Sequence, residues 1–139
     1  KILILGTKAT VNSKAYEIGL HALGYKNLQA KATGLFVPMV EEEIYEGEIL
    51  QATLKHYFCD LDKPNALILG CTHFPLISEA LQVYFGSECK LIHSGDAIVE
   101  YLQKEFTFTH KYQTTELKFF ASENPDALKK IAKKWLYKV

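Results

Sequence analysis

Leu67-Ile68-Leu69-Gly70-Cys71-Thr72-His73-Phe74-Pro75-Leu76 reads as a buried strand that stops at a glycine and hands over to a helix with Pro75 in its first turn. An unbroken apolar run, here Ala66 to Leu69, is expected of a strand covered on both faces, as in a parallel sheet. Proline suits a first helical turn because its missing N–H would be unpaired there anyway. Cys71 is thereby placed at the carboxyl edge of a strand, the edge on which open parallel sheets bind ligands. The unpaired N–H groups and positive dipole end of the following helix favour thiolate, drawing down a thiol pKa of about 8.5 in free cysteine. His73, two residues on, would donate a hydrogen bond, shuttle a proton or hold the thiol in register. The competing reading makes Cys71 a small buried hydrophobe and His73 a helix cap.

Outward from this stretch, short apolar runs alternate with segments of helical period, so the fold class is α/β: a parallel sheet flanked by helices on both faces. Residues 2 to 5 (Ile2-Leu3-Ile4-Leu5) and Lys90-Leu91-Ile92 are further strands. Val11, Ala15, Ile18, Ala22 and Leu23 share one helical face, with Gly24 closing the helix. Ile49, Leu50, Thr53, Leu54, Tyr57 and Phe58 form a second face, and Leu76, Ile77, Ala80, Leu81, Tyr84 and Phe85 a third. After His93 the character changes. Ser94 is expected to cap a helix bearing Ile98, Tyr101, Leu102 and Phe106. Residues 107 to 116 read as a polar connection, Leu117-Lys118-Phe119-Phe120 as a strand, and Asn124-Pro125 as the start of a last helix with Leu128, Ile131, Ala132, Trp135 and Leu136 on its face. The domain reading is residues 1 to 93 and residues 94 to 139.

The bulk numbers narrow the function classes. The 139 residues are 48% hydrophobic, and 16 basic side chains balance 16 acidic ones, so no net charge draws the chain toward nucleic acid or an acidic membrane. No apolar run approaches the roughly 20 residues a bilayer span needs, and no leader pattern is visible, so the cytoplasm is the expected location. Cys59, Cys71 and Cys89 have no metal-type spacing, and an odd count makes a poor disulfide framework. No metal and no cofactor are expected. The chain opens on Lys1 inside an apolar run, so a preceding part is expected to be missing.

Three other segments carry polar groups at element ends. Leu5-Gly6-Thr7-Lys8-Ala9-Thr10 runs from strand to helix, where Thr7, Thr10 and the turn's N–H groups could grip a carboxylate or phosphate, or Thr10 could simply cap. It lacks both the phosphate-loop and the dinucleotide glycine patterns. Glu41-Glu42-Glu43 reads as a solvated helix start, one member of which could face a pocket and bind a substrate ammonium or pair with His73. Ile92-His93-Ser94-Gly95-Asp96 ends another strand and is explained by Ser94 as cap and Asp96 in the first turn.

Leu69-Gly70-Cys71-Thr72-His73-Phe74-Pro75-Leu76 resembles the second cysteine motif of bacterial glutamate racemases. The resemblance continues in order through Leu5 to Thr10, through Phe36-Val37-Pro38-Met39-Val40-Glu41-Glu42, and through Ile92 to Asp96, and is weaker after residue 105. It implies one lobe of a two-lobed, pseudo-symmetric enzyme in which two cysteines face opposite sides of the substrate α-carbon. One thiolate removes the α-proton and the other thiol delivers one, without a cofactor. Cys71 is then the acid or base of this lobe, His73 assists it, and Glu41 is the acidic residue beside it. Thr7, Thr10 and Thr72 resemble the groups that hold glutamate. The resemblance also implies D-glutamate supply for peptidoglycan, with residues 94 to 139 returning to the other, N-terminal lobe; a homodimer is left open. The Asp-Ser-Gly and Cys-Asn-Thr motifs expected of that other lobe are not found here, so the lobe alone is expected to be inactive. Rival readings are another two-cysteine racemase or isomerase, acting on aspartate, a hydantoin or maleate, and a carboxylate-binding lobe without chemistry.

Overall fold

The structure, a computed structural model, describes residues 1–107, 116 and 118–136. It divides into two compact units, Lys1–Lys104 and Glu105–Val139. In the first, four strands, β1 (Ile2–Gly6), β2 (Leu28–Ala32), β3 (Ala66–Leu69) and β4 (Lys90–His93), form one all-parallel sheet in the order β2-β1-β3-β4. The register sets Leu5 beside Leu69, and Leu69 beside His93.

The connections are helical: α1 (Lys8–Ser13) and α2 (Ala15–Ala22), then α3 (Phe36–Glu41) and α4 (Glu48–Phe58), then a 3-10 turn at Phe74–Ile77 and α5 (Ser78–Phe85). Leaving β1 the chain steps to one side of the sheet, whereas β2 to β3 and β3 to β4 step the other way. Right-handed crossovers therefore send α1 and α2 to one face and α3, α4 and α5 to the other. The core records this. Leu3, Leu5, Leu67 and Leu69, which share a face by period two, cluster with Phe36, Leu50, Leu54, Phe58, Phe74, Ile77, Leu81 and Phe85. Phe36 stands edge-on to Phe74 with ring centroids 5.7 Å apart, joining α3 to the turn after β3. On the opposite face Ile4 is buried while Ile68 and Ile92 are half-buried.

The strands over residues 2–5, 66–69 and 90–92 and most of the α4 and α5 faces match the sequence reading, but Ile49, expected on the α4 face, is exposed. Several elements differ. Strand β2 was not expected, because Leu28-Gln29-Ala30-Lys31-Ala32 is a half-buried edge strand with too few apolar residues to show as a run. The single helix expected across residues 11 to 23 is two. Ser13 donates its hydroxyl to the Thr10 carbonyl at 2.7 Å and accepts the Ala15 N–H at 3.3 Å, and Lys14 takes a left-handed conformation with φ 55°. A side chain that competes for backbone groups in this way breaks a helical ladder. Ile18 and Leu23, expected on its buried face, are exposed. Pro75 lies in the 3-10 turn rather than opening an α-helix directly.

The acidic cluster also differs: Glu41 is the last residue of α3 and Glu42 its C-terminal cap, so the cluster closes a helix instead of starting one. Ser94 is the first residue of α6 (Ser94–Glu105), following β4 without a loop, and Asp96 lies in its first turn. The first unit runs past the break read at residue 93 and takes in most of α6. In the second unit, α7 (Pro125–Leu136) starts at the expected proline. Lys118–Phe120 do not form the predicted strand, and Phe120 is 84% exposed. A strand needs a neighbour for its N–H and C=O groups, and among the described residues none pairs here. Leu117, most of the 107–116 connection and several side chains of the last predicted face lie outside the described residues.

Candidate active site

The reversal of direction between the β1 and β3 connections makes a topological switch point, the place where open parallel sheets bind ligands. One loop carries Thr7 and Thr10; the other carries Cys71, Thr72 and His73. Strand β1 ends in a glycine and β3 is followed by one, and at each position a β-carbon would meet atoms already there. A β-carbon on Gly6 would meet Thr10 Cβ and Cγ2 at 2.9 Å, and one on Gly70 would meet the Leu5 carbonyl oxygen at 2.7 Å and Tyr16 Cε2 at 3.0 Å. The Gly70 N–H extends the sheet by donating to that same Leu5 oxygen at 2.8 Å.

Cys71 is half-buried and packs against the edge of the hydrophobic core. Its Sγ lies 3.8 Å from His73 Nδ1, and His73 Nε2 lies 3.5 Å from Glu41 Oε1. The second separation is an ion-pair distance rather than a hydrogen bond. Glu41 is exposed, so the pair contributes no more than about 1 kcal/mol to stability. Its consequence is orientation. A carboxylate beside Nε2 favours the proton on that nitrogen, leaving the Nδ1 lone pair toward the sulfur, where it can take or return the thiol proton. The long separations suit an unliganded site, since catalytic hydrogen bonds often tighten only around substrate.

Across the switch point, Thr7 is the N-cap of α1. Its hydroxyl accepts the Thr10 N–H at 3.2 Å and lies 3.0 Å from the Thr10 hydroxyl. Thr72 is exposed in the turn after Cys71. Cys71, His73 and Glu41 are thus in line, and Thr7 and Thr10 pair at the end of the neighbouring strand. Tyr16, which covers Gly70, was missed by sequence reasoning. Nothing in its residue type announces it, and the break at Ser13-Lys14 that aims it has no glycine or proline to mark it.

No family model matches the chain. It is 59% identical over 136 residues to a glutamate racemase of Nitratiruptor sp., covering 98% of the chain and 53% of that relative. The crystal structure of glutamate racemase from Campylobacter jejuni subsp. jejuni superposes with a TM-score of 0.93 at 51% identity, over 98% of this chain and 54% of that one. The chain belongs to the glutamate racemase family. A Francisella tularensis glutamate racemase solved with D-glutamate is 32% identical, with a TM-score of 0.60 over 74% of this chain and 41% of that one. The chain spans about half the length of the curated relatives it matches. As a glutamate racemase homologue it presents its thiol at the sheet's switch point. Among the described residues no helix is long and apolar enough to cross a membrane.

Proposed function

We propose that this chain forms one catalytic lobe of a cofactor-independent glutamate racemase in which Cys71 exchanges a proton with the substrate α-carbon. The observation that carries the reading is the line of Cys71 Sγ, His73 Nδ1 and Nε2, and Glu41 Oε1 at the switch point. As thiolate, the Cys71 sulfur takes the α-hydrogen as a proton; a second thiol on the opposite face, from the rest of a full-length enzyme, gives a proton to the planar carbanion. One proton leaves the carbon and one arrives, so the configuration inverts and the two sulfurs exchange roles. In the reverse direction Cys71 is the donor. His73 relays the thiol proton, and Glu41 holds the imidazole in the useful tautomer.

Thr7, Thr10 and Thr72 would hold the carboxylates and ammonium of glutamate, with residues 94 to 139 returning toward the other lobe. The product, D-glutamate, would serve peptidoglycan synthesis in the cytoplasm. The test is Cys71→Ser in a complete enzyme containing this chain, followed by deuterium wash-in at the α-carbon of glutamate. Serine is far too weak an acid to replace the thiol, so exchange and racemisation should collapse while glutamate still binds. Unchanged turnover would reduce this lobe to a carboxylate-binding domain.

A further inference from the structure

The contact between Tyr16 and Gly70 is not accounted for by the fold or by the proton chemistry. Tyr16 stands two residues after Lys14, whose left-handed backbone separates α1 from α2 and redirects the chain. The redirected helix sets the phenol ring where a side chain on Gly70 would otherwise be: Cε2 and Cζ lie 3.0 and 3.4 Å from that β-carbon position. The fit is reciprocal, because a ring can lie there only over glycine, and the glycine can close against β1 only without a side chain.

The segment that aims the sulfur is otherwise held at its two ends. At one end the Gly70 N–H donates to Leu5; at the other the Phe74 N–H reaches back to the Cys71 carbonyl at 3.2 Å, and the Leu76 N–H to that of His73 at 3.2 Å. Glycine is the most freely moving residue in any chain, and Gly70 immediately precedes the reactive one. The ring of Tyr16, beside the β-carbon position of Gly70, limits that freedom.

We propose that Tyr16 is a positioning residue for Cys71: its ring clamps Gly70 and thereby fixes the sulfur relative to His73 and the substrate. The proposal rests on the racemase reading for its kinetic consequence, though not for its effect on the thiol itself. The ring rather than the hydroxyl is the working part, since ring carbons make the contact.

The experiment uses a complete enzyme containing this chain, with the variants Tyr16→Ala, Tyr16→Leu and Tyr16→Phe. Two quantities are read: racemisation kinetics with glutamate, and the pH profile of iodoacetamide alkylation at Cys71, followed by peptide mass spectrometry with exposed Cys59 as internal reference. Misplacing a reacting group by about 1 Å costs on the order of a hundredfold, so Y16A and Y16L should lower kcat at least about tenfold with KM nearly unchanged. Their Cys71 alkylation midpoint should move relative to wild type while that of Cys59 stays, and Y16F should rescue both readouts. Wild-type-like kcat and alkylation in Y16A would overturn the proposal, as would a Y16F as impaired as Y16A. If Y16A fails to fold, Y16L is read by the same criteria. If the wild-type enzyme does not racemise glutamate, the functional reading fails, and the Cys71 alkylation profile still decides whether Tyr16 controls the thiol.

Discussion

Replacing Gly70 by alanine tests the construction of the site at its tightest point. The new methyl would lie 2.7 Å from the Leu5 carbonyl oxygen and 3.0 Å from Tyr16 Cε2. Carbon and oxygen normally approach no closer than about 3.3 Å, so one partner must move by more than half an ångström. The tyrosine ring can give a few tenths. The Leu5 oxygen cannot, because β1 is paired on both sides, to β2 and to β3. The end of β3 must therefore retreat, stretching the 2.8 Å bond from the Gly70 N–H. Overpacking of this kind costs about 1–3 kcal/mol, and the weakened bond about 1 kcal/mol more. Stiffening the unfolded chain returns up to about 1 kcal/mol. The net loss is about 2–3 kcal/mol. Urea unfolding of the complete enzyme should show it as a lower midpoint at unchanged slope. Because the backbone oxygen is the closer obstacle, adding Tyr16→Ala should recover less than half of the loss, which a double-mutant cycle measures. A Gly70→Ala protein within about 0.5 kcal/mol of wild type, the range of an ordinary surface substitution, would refute the account of the strand end.

The other predictions concern the surroundings of the site. Gly19 lies inside α2 with open space where a β-carbon would go, so Gly19→Ala should stabilise by about 0.5–1 kcal/mol in the same urea assay; a loss would mean that this face is covered in the complete enzyme. Burial pushes the Cys89 thiol up from its ordinary value, so its contribution to stability is complete below the unfolded thiol pKa, about 8.5, and is lost as pH rises through the folded one. Cys89→Ala should flatten the fall in stability measured on the alkaline side. It should not abolish it, because the Tyr84 phenol is also raised, by burial and by Cys59.

The sheet was legible where burial on both faces writes itself as an unbroken apolar run, as in Ile2-Leu3-Ile4-Leu5 and Ala66-Leu67-Ile68-Leu69. It was illegible at β2, whose edge position needs only half-burial and admits Gln29 and Lys31. Residues tied to strand ends were likewise readable. Thr7 and Cys71 stand within two residues of a strand's last position, and the parallel order carries both to one edge. One of Glu41-Glu42-Glu43 was expected to bind an ammonium or pair with His73, and it is Glu41 that lies beside His73, although its helix was read in the wrong direction, as a start and not an end. Tyr16 was beyond reach because its position depends on a three-dimensional coincidence. The Ser13 hydroxyl breaks a helix, Lys14 turns it, and a glycine distant in sequence receives the ring.

The Thr7 and Thr10 hydroxyls lie 3.0 Å apart and the Thr7 oxygen accepts the Thr10 N–H, so the turn after β1 is held by its own side chains. The 3.5 Å between His73 Nε2 and Glu41 Oε1 would have to shorten by about 0.6–0.8 Å to make a charge-assisted hydrogen bond. Thr7, Thr10, Cys71 and His73 follow the carboxyl ends of two adjacent strands in one sheet, and Glu41 is brought to them through His73. A substrate held on that edge therefore meets the Cys71 sulfur from one side. Inversion at a planar carbanion needs a proton source on the other side as well. On the racemase reading proposed above, the second thiol would come from the rest of a full-length enzyme, and the proposed clamp of Tyr16 on Gly70 would serve to aim the Cys71 sulfur at the shared carbon.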